Sequence, residues 1–297
     1  MKFFILKRLE IQNANALSSP ISVGFPALPA WYGFIHALER KIRYNPEFQD
    51  VHFPAFALAA HEYNMHSIKS APNSDASIVM QKYTAQATGS TLKNASFIEK
   101  PKIDLTVSIM VNITGLDDVQ HEAFCFKLKS LLQNMKIASG DLISKVTLSE
   151  KDIFEVDETN DDSIRKAILQ LMPGYILIER KDLLLNSPES SGLDTMLSHL
   201  SVMYDTSRDN KGKITKRSPQ KAPGWIVPIG VGYRGISALK NVKNQRDPSV
   251  PHQFAESLIT LCEFKMPHHF DSIDDILWYP DYIAEKNLYL CTTKKEK

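Results

Sequence analysis

Apolar and polar residues alternate most strictly over 103–113, where Ile103, Leu105, Val107, Ile109, Val111 and Ile113 take every second position. A period of two predicts a strand with one buried face. Residues 3–12 (FFILKRLEIQ) mix apolar and charged positions in a strand-like way and stop at the polar turn Asn13-Ala14-Asn15. A proline-punctuated loop, SSPISVGFPALP, leads into residues 30–44. There Trp31, Phe34, Ile35, Leu38 and Ile42 recur at helical spacing, and Pro29 sits where a first-turn proline is tolerated. Residues 51–63 read as a strand, with Pro54 marking an edge or a bulge. Residues 117–136 read as a helix with acids in its first turn and Lys136 in its last, Gly140 closes it, and LISKVTL returns as a strand.

The order β-α-β-β-α-β is the split βαβ arrangement of ferredoxin-like and RNA-recognition (RRM-type) folds. The expected fold class is therefore α+β, with a ferredoxin-like head over residues 1–150. The composition then shifts. Residues 151–162 carry six acids and one lysine and read as a solvated loop. Beyond them the pattern predicts a helix over 162–172, a short strand at YILIER, and helical pieces near 181–186 and 192–204. Residues 205–221 hold six basic and two acidic side chains among turn formers and read as a mobile basic loop. A strand (GWIVPI), a Gly-rich loop, a helix from about 251 to 264, the segment DSIDDILWYP and a terminal strand near LYLCT complete an accessory α/β extension over 151–297.

Charge changes the picture little. The net charge is +1, with 35 basic against 34 acidic residues, so attraction to nucleic acid must come from local segregation of charge. Cys125, Cys262 and Cys291 are too few and too scattered for a disulfide framework or a zinc motif, which fits a reducing cytoplasm. No apolar run nears the roughly 18 residues of a membrane span, so no membrane association is expected.

Most enzyme signatures are missing or defective. His61 to His66 (HEYNMH) is one residue too long to set two imidazoles on one helical face, as a zinc hydrolase needs. Gly230 to Gly235 (GVGYRG) matches a dinucleotide fingerprint only formally, since neither a long helix nor a well-placed acid follows. A flexible loop carrying Tyr233 and Arg234 toward a partner is the better reading. No phosphate-cradling GxxxxGK[ST] loop and no GxSxG elbow occur, and no cofactor is implied. Basic clusters remain at Arg40, Lys41 and Arg43, at Lys211, Lys213, Lys216 and Arg217, and at Lys240, Lys243 and Arg246. Asn13, Asn15, Ser18 and Ser19 stand between the first strand and a helix start. Such side chains can read base edges beside phosphate-binding N–H groups, or they can satisfy their own backbone in a turn.

The stretch from Arg8, RLEIQNANALSSPISVGFPALPAWYGFIHALERKI, closely resembles the start of the family of crRNA 5′-handle-binding subunits of the type I-F (Csy) CRISPR surveillance complex. Further matching blocks follow in order at LMPGYILIERKDLL, KAPGWIVPIGVGY, NVKNQRDPSVPHQFAESLITL and IDDILWY, while 64–100 and 186–220 find no counterpart. The resemblance implies a repeat-associated RNA-binding (RAMP) fold on the head described above. It also implies a cytoplasmic, non-catalytic subunit in antiviral DNA targeting. Its partners would be the crRNA 5′ handle, the complex's large subunit and the adjacent repeated backbone subunit, with contact to target DNA left open. On this reading Asn13, Ala14, Asn15, Ser18 and Ser19 contact RNA, with His36 and Arg40, one helical turn apart, adding phosphate contacts. Tyr233, Arg234 and Arg246 would supply stacking and further phosphate contacts. The alternative is a metal-independent endoribonuclease acting on CRISPR repeat RNA, with His36 as general acid or base.

Overall fold

In the computed structural model, residues 1–69, 71, 74–79, 100–186, 191–201, 222–245 and 247–293 are described, with the backbone of 81–82, 86–88, 91–93, 97–98, 205–208 and 214–217. The opening apolar run forms strand β1 (Lys2–Asn15), and the Trp31 stripe forms helix α1 (Leu28–Arg43). Strands β2 (Phe56–Met65) and β3 (Lys102–Ile113) follow, then helix α2 (His121–Leu132). Two short strands, β4 (Lys136–Ile137) and β5 (Gly140–Leu142), make a hairpin, and β6 (Ile153–Glu155) comes next. The extension adds α3 (Asp161–Leu169), β7 (Tyr175–Glu179), α4 (Lys181–Leu185) and α5 (Gly192–Leu200). It ends in four more strands, β8 (Trp225–Gly235), β9 (Ala255–Lys265), β10 (Tyr279–Ile283) and β11 (Leu288–Thr292).

These strands join in one antiparallel sheet in the order β4-β5-β1-β3-β2-β7-β9-β8-β11-β10, with β6 also beside β1. The molecule is an α+β protein. Pairing of β7 with β2 at Tyr175–Ala60 and Ile176–Ala59 carries the sheet from the first 150 residues into the extension. A bridge between Phe56 and Trp278 reinforces the seam.

Each face of the sheet carries its own core. On one face α1 and α2 bury Phe4, Leu6, Leu9 and Ile11 of β1 with the alternating Ile103–Ile113 set of β3. Phe124 of α2 packs edge-on against Phe4, Phe48 and Phe53. On the opposite face α3 and the segment around 270–278 bury Phe3, Ile5, Ala57, Ala59 and Met110. Strand β1 is therefore buried on both faces over its first half, so its residues 3–6 are apolar without interruption.

Four predicted elements differ. Asn13-Ala14-Asn15 is no turn: β1 runs on to Asn15 through two irregularities, at Leu6/Leu9 and Ile11/Ala14. Of LISKVTL only Leu142 is extended, and the edge of β1 is completed instead by β6, inside the stretch read as a solvated loop. The helix predicted over 251–264 is strand β9, lying between β7 and β8. Its far half, LCEF, is buried on both faces, which erases alternation and leaves an apolar run without a readable period. The Gly230–Gly235 run is the end of strand β8, not a loop. A Cβ at Gly230 would strike the Ser18 carbonyl oxygen, and one at Gly232 the Tyr289 carbonyl oxygen, so these glycines admit close neighbouring backbone.

Trp278 is fully buried at the seam, and its indole Nε1 donates to the Leu177 carbonyl at 2.8 Å. Trp278→Ala should cost about 3–5 kcal/mol in chemical denaturation, combining a cavity with an orphaned carbonyl. A loss below about 1 kcal/mol would mean the seam is not a structural joint.

Candidate nucleic-acid interface

The irregularities in β1 shape the elbow that follows it. At each one a residue adopts positive φ, Arg8 at +47° and Asn13 at +57°. Each freed backbone N–H is caught by a side chain of β3: Arg8 N–H donates to Ser108 Oγ at 3.0 Å and Asn13 N–H to Asp104 Oδ1 at 2.9 Å. Asparagine tolerates the left-handed region better than most residues, which suits it to position 13. Lys102 Nζ donates to the Asn13 carbonyl at 3.1 Å, so both backbone groups of Asn13 are held by β3.

Past Asn15 the chain folds into a small hairpin, Leu17–Ser19 against Ser22–Val23, laid on β8. Here the structure separates the expected site residues. Asn15 turns its amide onto Leu17, donating to its carbonyl and accepting from its N–H, both at 3.2 Å. Ala14 is buried. Ser18 is buried and accepts from Gly230 N–H at 2.9 Å, and buried Ser19 shares a 2.7 Å hydrogen bond with Ser22. These four residues hold the elbow in place. Asn13 alone among the elbow's polar residues keeps an exposed side chain with no partner among the described residues. Phe25 then wedges between Trp31 and Phe264 at ring distances of 5.4 and 5.2 Å. It forms one wall of an apolar cleft of about 280 Å³, which Tyr63, Tyr175 and Trp225 also line.

Beyond the elbow, α1 carries His36 and Arg40 on its exposed side. The His36 ring stacks on Tyr32, with centroids 5.7 Å apart and planes within 1° of parallel. Tyr32 in turn meets Tyr289 of β11 at 6.4 Å, and Tyr289 is the direct cross-strand partner of Tyr233 on β8. Two expected residues some 200 positions apart, His36 and Tyr233, are thus bridged by Tyr32 and Tyr289, which sequence reasoning missed. Arg234, next along β8, alternates to the opposite face and does not join them. Arg246 and the side chains of the 205–221 segment lie outside the described residues.

Neither histidine of HEYNMH makes a metal site. His61 lies on β2 with its Nε2 2.7 Å from Ser108 Oγ, and His66 follows just past the strand's end with its Nε2 2.9 Å from Asp104. Burial, and then the Arg8 charge, push the His61 pKa down. Among the described residues no three His, Cys, Asp or Glu side chains converge as metal ligands, and no helix is long and apolar enough to cross a membrane. The three cysteines are buried, and burial pushes the Cys125 thiol up to about 11 and that of Cys291 up to about 12.

With this geometry in view, comparison with known proteins is decisive. The family model described as CRISPR-associated protein (Cas_Csy2) matches residues 4–291. The chain belongs to the Csy2 family of CRISPR-associated proteins. It is also 28% identical to the CRISPR-associated protein Csy2 of Pseudomonas aeruginosa (strain UCBPP-PA14), over 98% of this chain and 95% of that protein. The family places the chain in the type I-F (Csy) CRISPR complex that its motifs resembled.

Asp104 ties the elbow to β3. Burial raises its carboxyl pKa, but the Asn13 N–H and His66 outweigh that and hold it below the ordinary carboxylate value. A depressed carboxylate adds stability above its unfolded pKa, and that stability is lost as pH falls through the folded pKa. Asp104→Asn should therefore be less stable than the parent at neutral pH. The gap should close in acid, as followed by urea denaturation across pH. A gap independent of pH would show that ionised Asp104 does not clamp the elbow.

Proposed function

We propose that this Csy2-family subunit is a non-catalytic RNA-binding component that holds the 5′ handle of the guide RNA and docks on the large subunit of its complex. The observation that carries this reading is the family match over residues 4–291, together with an elbow whose backbone is pinned while the Asn13 amide is left free. A rigid backbone with an unused donor–acceptor group suits base-edge recognition, because little side-chain freedom is left to lose.

The head supports an RNA-recognition ancestry. In the first 150 residues the sheet order is the edge strands, then β1, β3 and β2, with α1 and α2 packed on one face. Numbered along the chain this is 4-1-3-2, an order that supports reading these residues as a ferredoxin-like, RRM-type head. The opposite face, which a free-standing RRM would offer to bases, is covered over its first half by α3 and residues 270–278. What remains open there carries Glu10, Glu62 and Asp104 against Arg8 and Lys102, so it offers phosphate no net positive charge. RNA is accordingly assigned to the elbow and the α1 side. The adjacent repeated backbone subunit is a further expected neighbour, and target DNA a possible one for the complex as a whole.

The test exploits the positive φ of Asn13. Asn13→Gly keeps that backbone conformation accessible while removing the amide, where Asn13→Ala would add strain. When the full chain is coexpressed with its complex partners, guide-RNA retention should fall about five- to tenfold, the worth of one or two hydrogen bonds. Copurification of the large subunit should persist, and repeat RNA incubated with the protein should stay uncut. Retention equal to the parent would remove Asn13 from the interface, and cleavage lost in His36→Ala would replace the binder by a nuclease.

A further inference from the structure

The tyrosine pair bridging His36 and Tyr233 belongs to a longer row. Tyr289 of β11 is the cross-strand partner of Tyr233 on one side and of Tyr282 of β10 on the other. Direct cross-strand partners project from one face of a sheet, so three adjacent strands present three tyrosines side by side. It is the α1 face, because Cys291, two residues beyond Tyr289, lies in the core under α1 and Tyr32 touches Tyr289. Tyr32 and His36 extend the group onto the helix, giving five rings with Tyr289 at the centre: Tyr233 and Tyr282 flank it on the neighbouring strands, and Tyr32, followed by His36, meets it from α1.

Three features set this row apart from ordinary surface aromatics. Tyr233 and Tyr282 are 44% and 62% exposed, so their ring faces are open to a ligand. The close approach of β8 and β11 that aligns Tyr233 with Tyr289 requires Gly232, whose Cβ would strike the Tyr289 carbonyl oxygen. Charge is also arranged asymmetrically. Arg40, one turn beyond His36, has no ion-pair or hydrogen-bond partner among the described residues and lines a shallow depression with Arg43, Tyr44 and Gln49. The nearby Glu39 is already engaged, accepting from Phe53 N–H at 2.7 Å and facing Arg43 and His52. Asp281 alternates away from the ring face, and Glu285 sits in the turn beside Lys286. Grouped aromatic rings beside a free cation are what a single nucleic-acid strand needs: π faces for its bases and a cation for its backbone. A duplex would hide its base faces from such a row.

We infer that this row is a stacking surface for unpaired bases of the guide RNA, with Arg40 receiving a backbone phosphate at its α1 end. The inference rests on the proposed RNA-binding function and adds to it a second contact region, remote in sequence from Asn13.

The experiment measures fluorescence anisotropy of a labelled single-stranded RNA carrying the 5′-handle sequence, bound by the full chain together with its complex partners. Tyr282→Ala and Tyr233→Ala, both at exposed positions, should each weaken binding roughly tenfold or more, while Tyr282→Phe and Tyr233→Phe, which keep the ring, should retain it. Double-stranded RNA of the same sequence should compete poorly. Parental affinity in both alanine variants, with Asn13→Gly still weakened, overturns the stacking surface and leaves RNA binding intact. Alanine variants that keep RNA but shed the large subunit overturn it too, making the row a protein-docking face. No binding by the parent overturns the underlying RNA-binding reading itself.

Discussion

The antiparallel pairing of β1 with β3 is the constraint on which the rest of this molecule depends. Ten register pairs run from Lys2–Ile113 to Asn15–Lys102, interrupted twice. Were the pairing regular, the middle of β1 would turn Leu9 and Ile11 out of the core; the first extra residue flips the alternation, and the second restores it by Ala14 while adding twist. Each interruption frees one backbone N–H, and β3 supplies Ser108 and Asp104 on its polar face to accept it. The same alternation that buries Ile103 through Ile113 on one side therefore places the acceptors on the other. Elbow geometry and core packing are two consequences of a single strand's period.

From that elbow the chain is passed between the two halves of the sheet. Ser18 is anchored to Gly230, Phe25 packs between α1 and β9, and α1 then runs along the extension until Tyr32 meets Tyr289. The proposed binding surface is consequently composite. Its polar end comes from the first 15 residues, its aromatic end from residues 233–289, and α1 joins them. Near-zero net charge is compatible with such a surface, since recognition by shape, stacking and a few local cations needs no global field. The polar face of β3, where Asp104 and Glu62 stand with Arg8 and Lys102, offers a phosphate backbone no net positive charge.

Burial on both faces explains where the sheet hides from pattern reading. One-sided strands such as β3 advertise themselves, whereas β9 and the start of β1 carry apolar runs that do not distinguish strand from helix. At β1 the short run between charges still pointed to a strand. At β9 the prediction was a helix, and pairing with both β7 and β8 overrode it.

The sequence alone determined the helix α1, the strand β3, the α+β class and, through the long blocks around QNANALSSP and PGWIVPI, the family. Each of these rests on local periodicity or on contiguous residues, which a linear reading can see. It also brought forward Asn13, His36 and Tyr233, but not their unequal situations. That Asn15, Ser18 and Ser19 are occupied with their own scaffold, that Arg234 faces away, and that Tyr32, Tyr282 and Tyr289 line up with His36 were decided only by tertiary structure. The physical reason is that hydrogen-bond satisfaction and strand register are properties of neighbours in space: Gly230 is 212 residues from Ser18, and Tyr289 meets Tyr233 only because β11 pairs with β8 in that register.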